Sequence, residues 1–176
     1  QLIRALGQLQ HDGAVRVLRC SACYRTAPWG RLDQPEFVNA VVEVDTTLEP
    51  AALVEALLAT ERALGRERDV ELPQFAGNLT GGSGASLDFI GEPARGQAGL
   101  VVIEERELAQ PGCRVPHPRL VERAFVLVPL AELAPDARIP GHGSVTQCLQ
   151  RLAAPERDSV RRAADAGLEA AMQPGQ

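Results

Sequence analysis

No run of apolar residues in this chain approaches the ~18 that a membrane-spanning helix requires. The opening residues, QLIRALGQLQ, also lack the basic n-region and apolar h-region of a secretory signal. The chain therefore reads as soluble and cytoplasmic, with no membrane partner. An excess of positive charge is missing as well. The formal net charge is −5, with arginines interspersed among acids, so no basic face is available to neutralise a run of phosphates. Nucleic acid is excluded as a partner, and no internal repeat is present.

Cysteine is scarce and badly spaced for metal. Cys20 and Cys23 form a C-x-x-C within CSAC, a spacing used by zinc and redox sites. The surrounding VRVLRCSACYRT reads as a strand, however, where residues three apart point to opposite faces. Cys113 and Cys148 have no histidine at ligand spacing. Ordinary thiols in a reducing compartment are the expectation. The glycine-rich TGGSG lacks the following GK[ST], which removes phosphate-loop chemistry. Asn78-Leu79-Thr80 fits a glycosylation sequon that means nothing without a signal peptide.

What is present suffices for one core. An apolar content of 45% over 176 residues supports a single domain over residues 1–176. Leu2, Ile3, Leu6 and Leu9 repeat at helical spacing and stop at the turn signal His11-Asp12-Gly13. A strand follows through CSACYRT, then a proline-rich loop, then a second, β-branched strand in FVNAVVEVDTT. Thr46 or Thr47 with Glu49-Pro50 starts a helix over 50–64, with Leu53, Ala56, Leu57, Thr60 and Leu64 along one stripe. Residues 69–99 hold many glycines and few apolar residues and read as a flexible insertion. GLVVIEE fits a buried strand. Leu120 to Arg123 makes a short turn, and Ala124 to Leu130 is an apolar strand or the start of a helix. Residues 146–176 read as a helical tail. This order describes an α+β fold with helices packed on an antiparallel sheet.

The segments YRTAPWG, DQPEFVNAVVEV, LLATERALGRER and VPHPRLVERAFVLVPLAELAP, in that order, resemble 6-hydroxymethyl-7,8-dihydropterin pyrophosphokinase. The resemblance covers roughly residues 1–68 and 105–145. It implies transfer of a pyrophosphoryl group from ATP to the hydroxymethyl group of the pterin, assisted by two Mg2+ ions, in a ferredoxin-like α+β fold. It also implies small-molecule substrates and, as the family allows, fusion to other folate-pathway enzymes. By motif, Thr26, Trp29 and Asn39 fall where the family binds the pterin, with Phe37 and Phe125 as its stacking faces. The chemistry suits that reading, because a pterin edge offers donors and acceptors that an Asn amide meets both ways, while aromatic rings cover its faces. Outside such a motif a lone Phe is a core residue. Arg66, Arg68 and Arg123 correspond to the cations that act on the transferring phosphates, and His117 with Arg123 to nucleotide contacts. Guanidinium forks bind phosphate oxygens in pairs.

Two features depart from the family. The family begins with a central strand and a glycine-containing loop, whereas this chain opens inside the first helix, so a preceding strand is expected. The family motif R-W-G-P-R-T-L-D-L-D, whose paired aspartates share the metal ions, has its nearest remnant in ASLDFIG. That remnant leaves Asp88 as the metal candidate, with Ile90 at the second position; the alternative register places the strand at GLVVIEE. Glu92, Glu104 and Glu105 are the other nearby acids. The rival to an active kinase is a non-catalytic relative that keeps a pterin or nucleotide pocket.

Overall fold

Ala5, Leu6 and Leu9 turn one side of the first helix, α1 (Leu2–Gln10), into the core. The computed structural model describes residues 2–11, 13–26, 36–64, 85–91, 96–103, 108–110, 113–116 and 119–163. The chain then forms β1 (Val15–Cys20), β2 (Tyr24–Thr26), β3 (Phe37–Thr46) and α2 (Pro50–Ala63). β4 (Ala85–Gly91) and β5 (Gly96–Ile103) extend the sheet, while β6 (Leu108–Gln110) and β7 (Cys113–Val115) pair with each other. A 3-10 turn at Leu120–Glu122 leads into α3 (Ala124–Leu133). β8 (Arg138–Ile139), β9 (Gly143–Ser144), α4 (Val145–Arg151), α5 (Ala154–Asp158) and β10 (Arg161–Arg162) complete it.

The sheet has six strands in the order β10-β2-β3-β4-β5, all antiparallel, with β1 also paired to β3. β3 is long enough for β2 to take its first residues and β1 its last ones on the same edge, while β4 occupies the other edge. Successive residues of β3 alternate faces. Ala40, Val42 and Val44 pack with Leu6, Leu9, Leu53 and Leu57 of α1 and α2. Val41 packs on the opposite side with Val126, Leu127 and Leu130 of α3 and Cys148 of α4. The α+β architecture of helices on an antiparallel sheet is as expected. Each fully buried Leu or Val contributes roughly 1.5–3 kcal/mol, whereas the cross-strand ion pairs Arg16–Asp45 and Arg19–Glu43 are exposed and contribute little.

Several elements correct the sequence reading. The strand expected through CSACYRT ends at Cys20 and resumes at Tyr24, so alternation does not carry across it. Cys20 and Cys23 consequently face the same core cluster rather than opposite sides. Residues 85–91 and 96–99, read as part of a flexible insertion, are paired strands; residues 69–84 lie outside the described residues. Ala124 to Leu133 is helix despite Val126, Val128 and the interior Pro129. Burial of Val126, Leu127 and Leu130 outweighs the missing proline N–H, which costs about 3 kcal/mol in a helix interior. In the tail, Arg161–Arg162 is a strand on the edge of β2. The Thr46 hydroxyl accepts from Leu48 N and donates to the Ala14 carbonyl, so it anchors the end of β3 ahead of α2. Among the described residues no helix is long and apolar enough to cross a membrane.

Ser144 and Gln147 form a reciprocal capping box at the start of α4. Gly143, at φ 93°, enters it, and a Cβ there would collide with Gln147 Oε1. Gly143→Ala is expected to cost about 1–3 kcal/mol. Gly7→Ala, in an exposed stretch of α1 with open space around it, should instead gain roughly 0.5–1 kcal/mol. Urea midpoints of the two variants, displaced in opposite directions from the parent, check both.

Candidate functional site

The break between β1 and β2 is where polar groups enter the sheet. Ser21 N donates to the Val41 carbonyl at 2.8 Å, and Val41 N donates to Ser21 Oγ at 2.9 Å. The serine hydroxyl also donates to the Ala22 carbonyl. A side chain thus takes the place of the missing ladder partner, and β2 resumes with Tyr24 opposite Asn39 and Thr26 opposite Phe37.

Asn39 is completely buried and Thr26 nearly so. The Asn39 amide donates from Nδ2 to Thr26 Oγ1 at 2.9 Å. Its Oδ1 has no hydrogen-bond partner among the described residues. A buried acceptor left unpaired costs about 1–3 kcal/mol, so the position is poor for stability and suited to accepting a donor from a bound molecule. Alternation along β3 puts Asn39 on the same face as Val41, which is the face that α3 covers.

α3 brings the remaining groups. Arg123 is its N-cap, and its carbonyl receives Val126 N and Leu127 N. The Arg123 guanidinium carbon lies 5.9 Å from the centroid of the Phe125 ring, a cation–π distance. Phe125 is partly buried against the cluster that holds Val41. At the other end of α3, Glu132 Oε2 accepts from Ala22 N at 3.0 Å and from the Tyr24 hydroxyl at 2.9 Å. Burial first, and then the Glu132 carboxylate, push the Tyr24 phenol up to about 12. Tyr24 therefore donates throughout the neutral range.

Of the residues singled out from sequence, Thr26, Phe37 and Asn39 come together where β2 meets β3. Arg123 and Phe125 stand on α3 over the face that carries Asn39. Asp88 occupies β4 between Val41 and Gly99 in the ladder. Trp29, Arg66, Arg68 and His117 lie outside the described residues. Among the described residues, no group of three or more His, Cys, Asp or Glu side chains converges as a metal site. Sequence reasoning missed Ser21, Tyr24 and Glu132. The signals were a lone acid in an otherwise apolar helix and the chain's single tyrosine.

A family model described as 7,8-dihydro-6-hydroxymethylpterin-pyrophosphokinase matches residues 1–135. The chain belongs to this family. A 2-amino-4-hydroxy-6-hydroxymethyldihydropteridine pyrophosphokinase of Methylorubrum extorquens is 40% identical over 149 residues, which is 83% of this chain and 82% of that protein. The protein of the same name from Pseudomonas aeruginosa is 36% identical over 140 residues, covering 80% of this chain and 75% of its own length. The folic acid synthesis protein fol1 of Schizosaccharomyces pombe is 31% identical over 153 residues, 86% of this chain but 18% of that protein. The pyrophosphokinase-like region is therefore a small part of a much longer polypeptide there.

Two outcomes test the buried Thr26–Asn39 pair and the Tyr24–Glu132 bond before any ligand is added. Replacing both partners of the buried pair, as Thr26→Val with Asn39→Leu, removes the unpaired Asn39 Oδ1 together with the Nδ2 donor and the Thr26 oxygen that accepts from it. It should leave thermal stability within about 1 kcal/mol of the parent or above it, whereas Thr26→Val alone strands the Asn39 amide and should be lower. Because Tyr24 is the single tyrosine, the phenolate absorbance of the whole protein reports it directly. Its midpoint should lie near 12 when folded and fall to about 10 in denaturant. Folding favours the protonated phenol, so the stability it adds is complete below pH ~10 and is lost as pH rises towards 12.

Proposed function

We propose that this chain transfers the pyrophosphoryl group of ATP to 6-hydroxymethyl-7,8-dihydropterin in folate biosynthesis. The observation that carries the reading is the buried Asn39 amide, held by Thr26 with its Oδ1 left over, in a chain belonging to the pyrophosphokinase family. A pterin brings N–H donors next to acceptors along a flat edge, and an amide with one end already fixed presents its other end in a defined direction. Phe37 and Phe125 then cover the ring faces, with Trp29 completing the pterin contacts.

In the reaction the pterin hydroxymethyl oxygen forms a bond to the β-phosphorus of ATP as the β-phosphorus bond to the bridging oxygen breaks. AMP departs with that oxygen, and the hydroxyl proton is released. The protein's contribution to such a transfer is positioning and compensation of the phosphate charge. Arg123, with Arg66 and Arg68, is assigned to that charge and His117 to the nucleotide. Family members use Mg2+ to neutralise the phosphates, and Asp88 is the residue here assigned to it. A ferredoxin-like order of elements, a cytoplasmic setting and association with other folate-pathway enzymes belong to the same reading. The fol1 protein supports the last.

The solitary Asp88 in the ASLDFIG strand favours a second reading, a relative that binds pterin or nucleotide without turnover. AMP release with ATP, Mg2+ and the pterin, run beside calorimetric titration of each substrate, separates the two. Turnover is expected, and Arg123→Ala should reduce it on the order of a hundredfold. The paired Thr26→Val and Asn39→Leu variant should lose pterin binding while keeping ATP binding. Pterin binding without AMP release would establish the second reading, and no binding of either substrate would overturn both.

A further inference from the structure

Resting on the pterin reading above, we infer that Glu132 is a positioning residue for the pterin side of the site. Its carboxylate fixes the start of β2 against α3, and so sets where Thr26 and Asn39 stand relative to Phe125 and Arg123. One oxygen, Oε2, receives the backbone N–H of Ala22 and the hydroxyl of Tyr24, from either side of Cys23. The other, Oε1, lies 3.9 Å from Arg162 of β10. The same segment is held from below by Ala163 N, which donates to the Cys23 carbonyl at 2.7 Å.

The need for such a clamp follows from the sheet. β2 has three residues, and its outer neighbour β10 contributes only two, so ladder bonds alone define its position weakly. Yet β2 carries Thr26, whose hydroxyl orients the Asn39 amide, and Tyr24 is the direct cross-strand partner of Asn39. Tyr24 and Thr26, two apart on one strand, share a face, and the bond from Tyr24 to Glu132 shows that this face looks onto α3. Arg123 caps, and Phe125 lies in the first turn of, the same helix that carries Glu132 in its last turn. A carboxylate accepting two bonds is stronger than the neutral alternatives. It spans the two elements that bring the opposite sides of the site together. Glu132 touches no reacting atom in this arrangement. It acts through Tyr24 and β2.

The test uses the intact chain with Glu132→Ala, Tyr24→Phe and Glu132→Gln. Per folded molecule, Glu132→Ala is expected to raise KM for the pterin about tenfold, with KM for ATP changed less than about twofold. Tyr24→Phe should show a smaller effect in the same direction. Glu132→Gln keeps an oxygen that can accept both donors and should restore most of the loss. A purely structural role would lower the melting temperature and the folded fraction while leaving both KM values intact, and that outcome overturns the inference. The Asn39 side-chain amide resonances give a second readout with no substrate present. They are expected to shift and broaden in Glu132→Ala and to return in Glu132→Gln, and unchanged resonances would equally overturn it. Should the parent chain release no AMP, the function reading fails, and the amide resonances still decide whether Glu132 positions the pair.

Discussion

The exchange between Ser21 and Val41 is the constraint around which the sheet is arranged. A sheet interior tolerates no unpaired amide, yet the chain leaves β1 at Cys20 and does not rejoin the ladder until Tyr24. Val41 sits in that gap with nothing exposed. The Ser21 main-chain N–H and side-chain oxygen serve the Val41 carbonyl and amide, so the break costs no hydrogen bond. Because the gap is closed this way, β1 and β2 can both pair with one long strand while departing from each other's line. A hydrophobic residue at position 21 could not provide this, since it carries no side-chain acceptor for the Val41 amide.

The offset creates a second consequence, which is the site. Where β2 resumes, its face towards α3 carries Tyr24 and Thr26, and β3 supplies Asn39 between them. This stretch is polar within a sheet whose adjoining positions are Val41 on one face and Ala40, Val42 and Val44 on the other. Core stability is served by the valines, and the leftover Asn39 oxygen works against it. Keeping such an atom costs about 1–3 kcal/mol that an apolar residue of the same volume would avoid, so core packing alone does not account for Asn39.

Much of this was legible in the residues and some was not. The apolar stripe Leu53, Leu57 and Thr60 made α2 plain, and β-branched FVNAVVEV made β3 plain, because period and propensity agreed with burial in both. α3 was ambiguous because Val126, Val128 and Pro129 speak for strand while Leu127, Leu130 and Leu133 suit either; packing on Val41 settled it, and packing is not a local property. The chain's behaviour at CSAC was hidden because alternation presumes an unbroken strand, and the serine that permits the break looks like any other serine. β4 and the first residues of β5 were hidden by composition, since Gly91, Gly96 and Gly99 carry the turn signal of a loop while the backbone still pairs, whereas the apolar GLVVI of β5 reads as the strand it is. Thr26 and Asn39 were singled out by family resemblance, and the structure shows that they bond to each other. Tyr24 and Glu132 lay in the same quoted motifs without a role, because their meaning is the contact between two segments more than a hundred residues apart.

That long-range contact bears on how the two halves of the chain cooperate. The N-terminal half supplies the buried Thr26–Asn39 pair, and the C-terminal half supplies, through α3, Phe125 with the Arg123 guanidinium over its ring. Two-sided apolar packing on β3 brings the halves together with little directional preference, since hydrophobic burial is proportional to area. Direction comes from the few polar bonds that cross between them: the Ser21 exchange within the sheet, and the bonds from Ala22 and Tyr24 to Glu132 between sheet and helix. A charge-assisted pair of bonds at 2.9 and 3.0 Å tolerates less displacement than a layer of Val and Leu contacts. The apolar core thus fixes that α3 lies on this face, and the polar links fix where along it the helix stands against β2.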